Sequence, residues 1–444
     1  MTDGRETARD AALVRALGTW GLVAAVVNVT VGAGIFRLPA AVATSLGPAA
    51  PIAYVVCAVA MGLIVLCFAD AGSRVSLTGG LYAYVEVAFG PFVGFLAGVL
   101  LWAGLTAALA AVTSFFADSI GALFPPLSSD VAKPATVILV LASLATLNVL
   151  GVRGANRFNA VMTVAKLLPV ALFIAVGAFA MHVENLAPRH APGVGELARA
   201  SMLLLFAFFG VEAALVPSGE VRDPARTVPR AVLLAIVAIA ILYVAVQLVA
   251  QGVLGDALAG QKTPLAEAAG VALGPWGRTL ILAGSSLAMF GNVSAMTLAV
   301  PRMLFAFARD GFLPRALANV HPRFRTPHRA IAIQTLLVAI LAVTGSFERL
   351  ITVAVGGVLL VYAACCLAAV ELRRRNVHAD GTPFQLPAAR VVPWLALAII
   401  AALLASVDLR EWLAVLIVVA VAIFGYAVTR GRRAATAVSG SIGD

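Results

Sequence analysis

The sequence predicts an all-α membrane protein of about twelve transmembrane helices, and three observations predict it. Of 444 residues, 62% are apolar and only 12% are charged, against roughly 45–50% and about 25% in soluble domains. The apolar residues come in runs of the length that a hydrocarbon core of about 30 Å demands, about 20 residues per helix. The charged residues fall mostly between those runs. An ordinary soluble protein and a disordered chain are excluded on the same grounds.

Hydropathy places the spans at about 18–43, 49–70, 91–117, 135–152, 160–181, 200–219, 229–254, 276–307, 330–345, 350–371, 391–407 and 410–429. The first run continues past any small-residue cleavage site, so it reads as a retained signal anchor from which nothing is removed. Orientation follows from the basic residues, which cytoplasmic loops hold in excess. Of the 31 Lys and Arg, 22 fall on the side of the N-terminus, eight on the opposite side (Arg37, Lys133, Arg189, Arg199, Lys262, Arg278, Arg349, Arg410), and Lys166 lies within a span. Both termini are therefore expected in the cytoplasm. The net charge of +10 is mostly this topology signal, and it is not gathered on one face as nucleic-acid binding requires. Arg373 to Arg375 alone also suit anionic lipid. The four cysteines, Cys57, Cys67, Cys365 and Cys366, all lie inside apolar runs, which argues against a disulfide framework or a zinc site. All five histidines fall in loops or at span ends, so no metal or organic cofactor is expected.

Cutting the chain at the long loop between His182 and Arg199 gives two groups of five spans, 18–181 and 199–371. An odd number of spans per group makes the second copy enter the membrane from the opposite side, the inverted-repeat layout of many secondary transporters. Residues 391–429 add two further helices. The tails are 1–17 and 430–444.

Glycines at matching places in the two halves point to the site. The first span reads Thr30-Val31-Gly32-Ala33-Gly34-Ile35-Phe36. Glycine weakens a helix by about 1 kcal/mol relative to alanine, and unwound backbone at that depth is tolerated only where it lines a cavity or is buried in protein. A half-helix beginning near Gly34 aims free N–H groups and its positive dipole end at an anion such as a carboxylate. Close helix packing of small residues is the alternative. The sixth span repeats the pattern with Phe206-Ala207-Phe208-Phe209-Gly210-Val211-Glu212, now with an ionisable group at a depth where such groups are by default functional. Glu212 either carries a proton during gating or braces the broken helix. Lys166, in the fifth span, either holds a proton or the place of a sodium ion, or snorkels to the interface. Ser285, Ser286, Asn292 and Ser294 of the eighth span offer an amide and hydroxyls to a ligand or to a neighbouring helix, and read first as interhelical hydrogen-bonding groups. Trp102 and Thr106 share a face of the third span, as a pocket wall or as core.

With these residues in place the chain resembles the amino acid permeases of the amino acid-polyamine-organocation (APC) superfamily. Three stretches carry the resemblance: Gly32-Ala33-Gly34-Ile35-Phe36 with Leu38-Pro39; Phe208 to Ala213 continuing into Gly219-Glu220-Val221-Arg222-Asp223-Pro224 and Val228-Pro229-Arg230-Ala231; and Arg302 through Ala308-Arg309-Asp310-Gly311-Phe312-Leu313-Pro314 to Thr326-Pro327. The resemblance implies a five-plus-five inverted repeat with discontinuous helices 1 and 6, working by alternating access. It further implies a substrate carboxylate on the N–H groups of Gly32, Ala33 and Gly34, and an amino group on carbonyls near Thr30, Phe206 and Phe209, beside Gly210. By the same resemblance Phe206 is an aromatic gate, and Lys166 is linked to proton coupling. Leu101 and Met296 stand where arginine exchangers carry substrate-contacting groups, so the inferred walls (Ala33, Leu101, Phe206, Val211, Met296) favour a neutral, apolar amino acid. The expected function is amino acid transport across the inner or plasma membrane, with protons as the coupled partner and no covalent catalysis. An exchanger or exporter of the same substrates is the first alternative. An intramembrane enzyme would need convergent catalytic groups and a channel would need filter rings; neither pattern is present in the sequence.

Overall fold

The computed structural model describes residues 18–75, 80–150, 155–188, 191–215, 221, 223–309, 312–324, 326–378 and 382–440. The tail 1–17, Gly219, Glu220 and Arg222 of the second signature, and Asp310 and Gly311 of the third lie outside the described residues.

Among the described residues, every predicted apolar run carries helix. In chain order these are α1 (Thr19–Thr30), α2 (Ala33–Leu46), α3 (Ala50–Arg74), α4 (Leu81–Phe89), α5 (Pro91–Leu123), α6 (Ala132–Leu150), α7 (Ala155–Gly177) and α8 (Val194–Leu205). The second half continues with α9 (Val211–Ala214), α10 (Pro224–Leu254), α11 (Pro264–Leu273), α12 (Pro275–Arg309), α13 (His328–Thr344), α14 (Phe347–Arg374), α15 (Val392–Leu404) and α16 (Leu409–Gly440). Two short helices, α4 and α11, sit between the expected spans, and α16 runs on past residue 429 into the expected tail. Four helices, α5, α10, α11 and α12, open on proline, whose missing N–H costs nothing in the first turn. Ser346 caps α14, its side chain accepting from Arg349 N at 3.3 Å.

By length and composition, six helical stretches among the described residues are long and apolar enough to cross a bilayer: α2 with α3, α5, α6, α10, α12 and α14. The count falls short of twelve for identifiable reasons. The first and sixth apolar runs are broken into pieces too short to cross alone, α13 and α15 have only 17 and 13 residues, and the apolar stretches Lys166–Ala180 of α7 and Trp412–Ala427 of α16 are likewise short.

Helices α5 and α14 lie at the centre, with 72% and 67% of their apolar windows buried against 17% for α6. Along their lengths α10 packs on α3 and α1, while α12 and α14 pack on α5. Small residues permit the close approach: a Cβ at Gly104 of α5 would lie 2.6 Å from Val358 Cγ2 and 3.0 Å from the Ala354 carbonyl oxygen on α14. Outward faces carry exposed Leu139, Ile241, Leu336 and Ile417, as a surface facing lipid tails requires. At one end of the bundle Asp70 of α3 is fully buried and accepts from Arg74 Nε at 3.1 Å and Arg373 Nη2 at 2.7 Å. Ser73 Oγ beside it accepts from Phe384 N at 3.0 Å. This cluster ties α3 to α14 and to the segment that follows α14.

Candidate functional site

The two broken helices cross at the middle of the molecule. Helix α1 stops at Thr30, Val31 N donates back to Val27 O at 3.0 Å, and α2 restarts at Ala33 after Gly32 (φ −125°, ψ −141°). In the second half α8 gives way to a 3-10 turn over Phe206–Phe208, Phe209 is extended, and Gly210 takes φ +113° before α9 begins. Only glycine adopts that angle without strain. Sterics demand it too, since a Cβ at Gly210 would lie 2.8 Å from Val29 C and 2.9 Å from Thr30 N. The relation is mutual, because a Cβ at Gly34 would lie 2.8 Å from Ala207 Cα. Each break therefore rests its glycine against the other's backbone.

Broken helices leave carbonyls without intrahelical partners, and the surrounding side chains take several of them. Lys166 is 5% exposed and its Nζ donates to Asn28 O in the last turn of α1, so its ammonium points inward and does not snorkel. The hydroxyl of Tyr243, on α10, lies 2.7 Å from Ala207 O and 3.2 Å from Thr30 O. It thereby reaches one carbonyl from each break.

A cavity of about 300 Å³ opens beside the crossing. Thr30, Gly32, Ala33, Gly34, Phe206, Phe209, Gly210 and Met296, the residues expected around a substrate, all border it, and so does Lys166. Leu105, Ala108 and Val112 of α5 form one further wall, and α12 contributes Ala288, Gly291, Asn292, Ala295 and Ala299. The spacings of three and four residues put each set on one helical face. Leu101 and Val211, expected as walls, are buried but do not border the cavity; Leu105, one turn on, takes the place of Leu101. Asn292, read from the sequence as a group for a ligand or a neighbouring helix, borders the cavity. It faces the first break, with Nδ2 3.3 Å from the position of a Gly32 Cβ, and its Oδ1 is buried without a hydrogen-bond partner.

Other polar residues turn elsewhere. Glu212 is 1% exposed and does not border the cavity. The first turn of α9 carries it toward α14, where its Oε2 accepts from Tyr362 Oη at 2.8 Å. The Tyr362 ring stands edge-on to Phe209 at 6.5 Å, so Glu212 reaches the cavity wall through one aromatic pair. Trp102 and Thr106 face α13: Trp102 Nε1 donates to Gln334 Oε1 at 2.9 Å and Gln334 Nε2 to Thr106 Oγ1 at 3.0 Å. Ser285 donates to Leu282 O of its own helix at 3.1 Å.

Beyond Phe206, which borders the cavity, lie further rings and a guanidinium. The Phe206 ring meets Phe347 edge-on at 6.1 Å, and the Arg37 guanidinium covers Phe347 at 5.7 Å and Phe115 at 5.9 Å. Arg37 then donates to the Lys262 carbonyl at 2.6 Å and to Glu348 at 3.2 Å. The cavity has the backbone of the two breaks on one side and apolar side chains on the other.

Sequence alone gave no sign of Tyr243, and on α5 it pointed to Leu101, Trp102 and Thr106, not to Leu105, Ala108 and Val112. A lone tyrosine in an apolar run has no local marker, and the face that α5 presents follows from how it packs on α14.

The sequence profile described as amino acid permease matches residues 17–432. Among curated relatives, the chain is 28% identical over 410 residues to the branched-chain amino acid permease BcaP of Bacillus subtilis, covering 88% of each chain. It is 27% identical over 431 residues to the methylthioribose transporter of the same organism, covering 93% of each. To its serine/threonine exchanger SteT it is 26% identical over 404 residues, covering 88% of this chain and 90% of the relative. Such relatives are transporters, not enzymes, and the apolar helices agree with an integral protein of the cell membrane. With the match extending over all but the ends of the sequence, the chain belongs to the amino acid permease family of the APC superfamily.

Proposed function

We propose that this permease moves neutral, apolar amino acids by alternating access, coupled to protons. The single observation that carries the reading is the cavity between the interlocked breaks, backbone on one side and Leu105, Ala108, Val112 and Met296 on the other. Carboxylate binds at the N–H groups of Gly32, Ala33 and Gly34, where the start of α2 carries a partial positive charge. The amino group binds carbonyls near Thr30, Phe206 and Phe209, beside Gly210. The side chain fills the apolar compartment, and the name of BcaP supports a branched or similarly apolar one. Phe206 gates the cavity, and Glu212 with Tyr362 braces the gate from behind. Lys166 couples the cycle: while charged it grips the Asn28 carbonyl, and on giving up its proton it releases the end of α1.

The topology belongs to the same proposal. Twelve spans comprise two inverted repeats, 18–181 and 199–371, and two more helices within 391–429. Both termini are cytoplasmic, in keeping with the distribution of basic residues.

Uptake of a panel of labelled amino acids into proteoliposomes, with and without an inward proton gradient, tests the reading. Gradient-driven accumulation of a neutral amino acid that is lost in Lys166→Ala is the expected result. Accumulation indifferent to the gradient overturns the coupling. The similarity to SteT favours a second reading, obligatory exchange, in which uptake requires internal substrate.

A further inference from the structure

We infer that Asn292 of α12 is a substrate-binding residue that selects for a carboxylate: its side-chain amide donates to the carboxylate seated at the first break. The inference rests on the reading that an amino acid binds between the breaks.

Among the described residues, four with polar side chains border the cavity: Asn28, Thr30, Lys166 and Asn292. The first two belong to α1, and the Lys166 ammonium is engaged by Asn28 O on that same helix. Asn292 alone approaches the break from α12. Its Nδ2 lies 3.3 Å, and its Cγ 3.9 Å, from the place a Cβ of Gly32 would take, so the amide stands over the residue that precedes α2. The break itself has no side-chain donor, since Val31, Gly32, Ala33 and Gly34 carry none. Main-chain N–H groups at the start of α2 leave part of a carboxylate unused, because its two oxygens offer about four acceptor sites. An amide nitrogen over Gly32 fills one of them, and a donor is worth more to an ionised acceptor than to a neutral one.

A purely structural role for Asn292 does not fit its surroundings. Its Oδ1 is buried without a hydrogen-bond partner, whereas an amide that tied α12 to a neighbouring helix would have its oxygen bonded. Left unpaired, that oxygen weakens the fold. The amide is also uncharged at every physiological pH, so the grip on the carboxylate stays constant while Lys166 gains and loses its proton. Selection falls on the head group alone: a ligand with a neutral hydroxyl in place of the carboxylate loses little when the amide is removed, whatever its tail.

The test compares leucine with leucinol, which keeps the ammonium and the tail and carries that neutral hydroxyl. Binding to the purified full chain in detergent is read from the rise in unfolding temperature with ligand concentration, which requires no transport. In Asn292→Leu, a change of similar shape, the Kd for leucine is expected to rise about tenfold or more, the value of a hydrogen bond to a charged group. That for leucinol rises less than about threefold. Crowding of the tail by the new side chain would affect both ligands alike and leave their ratio unmoved. Asn292→Ala gives the same shift in the ratio if Asn292→Leu does not fold. Ser285→Ala, on the same helix and outside the cavity, leaves both constants unchanged. Equal weakening of the two ligands in the Asn292 variants, or none, overturns the assignment and leaves the amino acid reading intact. A wild-type protein that binds leucinol as tightly as leucine overturns that reading and the role of Asn292 with it.

Discussion

Replacing Gly34 by alanine puts the interlock of the two breaks to a direct test. The added Cβ would lie 2.8 Å from Ala207 Cα and 3.0 Å from Ala207 Cβ, roughly 0.7 Å inside the ~3.5 Å at which two carbons touch without repulsion. The obstacle is backbone, so no side chain can turn aside and the two segments must part. Overpacking of this kind costs typically 1–3 kcal/mol. A displacement near 1 Å at a positioned site costs up to about 100-fold in rate. At Gly32 the obstacle is the Asn292 amide, 3.3 Å away, which yields by a small rotation. At Gly62, inside α3, nothing lies within 4 Å, and alanine there gains about 1 kcal/mol of helix propensity. The expected order of leucine uptake in proteoliposomes is therefore Gly62→Ala equal to wild type, Gly32→Ala reduced a few-fold, and Gly34→Ala reduced by roughly ten- to 100-fold. Unfolding temperatures of the detergent-solubilised proteins follow the same order. Wild-type uptake by Gly34→Ala, or a Gly32→Ala protein more impaired than Gly34→Ala, would refute the interlock.

Two further outcomes concern stability and access. Asp70→Asn leaves Arg74 and Arg373 facing each other without their buried carboxylate, and breaking a buried pair costs roughly 3–5 kcal/mol; Glu348→Gln, at a half-exposed pair with Arg37, costs under about 1 kcal/mol. Thermal unfolding of the two variants side by side checks the contrast, and equal losses would contradict it. Cys57, Cys67, Cys365 and Cys366 are all buried thiols, so a water-soluble maleimide should label none of them until denaturant is added; rapid labelling in the folded protein would mean that water reaches between α3 and α14.

The breaks were legible in the sequence because they depend on local chemistry. Glycine in mid-span at 32, 34 and 210 has no helical justification in lipid, so its presence marks irregular backbone whatever the rest of the chain does. The glycines themselves, with Thr30, Ala33 and Phe209 beside them, border the cavity for the same reason. Contacts set by packing were not legible. Leu101 and Leu105 look alike in the sequence, and only the rotation of α5 against α14 decides that Leu105 faces the cavity. Trp102 and Thr106 turn to Gln334, a partner 228 residues from Thr106 that no periodicity announces. Asn292 reads equally as a bond between helices, and its orientation toward Gly32 depends on where α1 breaks. The number of spans was blurred by the same glycines, since a helix that is interrupted is also too short to be counted by length.

The cavity has one wall made of main chain and another made of side chains, and the two respond differently to mutation. A main-chain surface shows the same atoms whatever residue is encoded, so substitutions there move the backbone without repainting it. Ala108, Ala288, Ala295 and Ala299, by contrast, present only a methyl group each to the cavity. Enlarging or polarising any of them changes the space left for a ligand's tail and leaves its head group undisturbed. A library confined to those four alanines and Met296 should therefore yield transporters with new preferences, while one aimed at the glycines yields chiefly inactive protein. Under the proposed binding mode, what is common to all amino acids and what distinguishes them are written in separate parts of the chain.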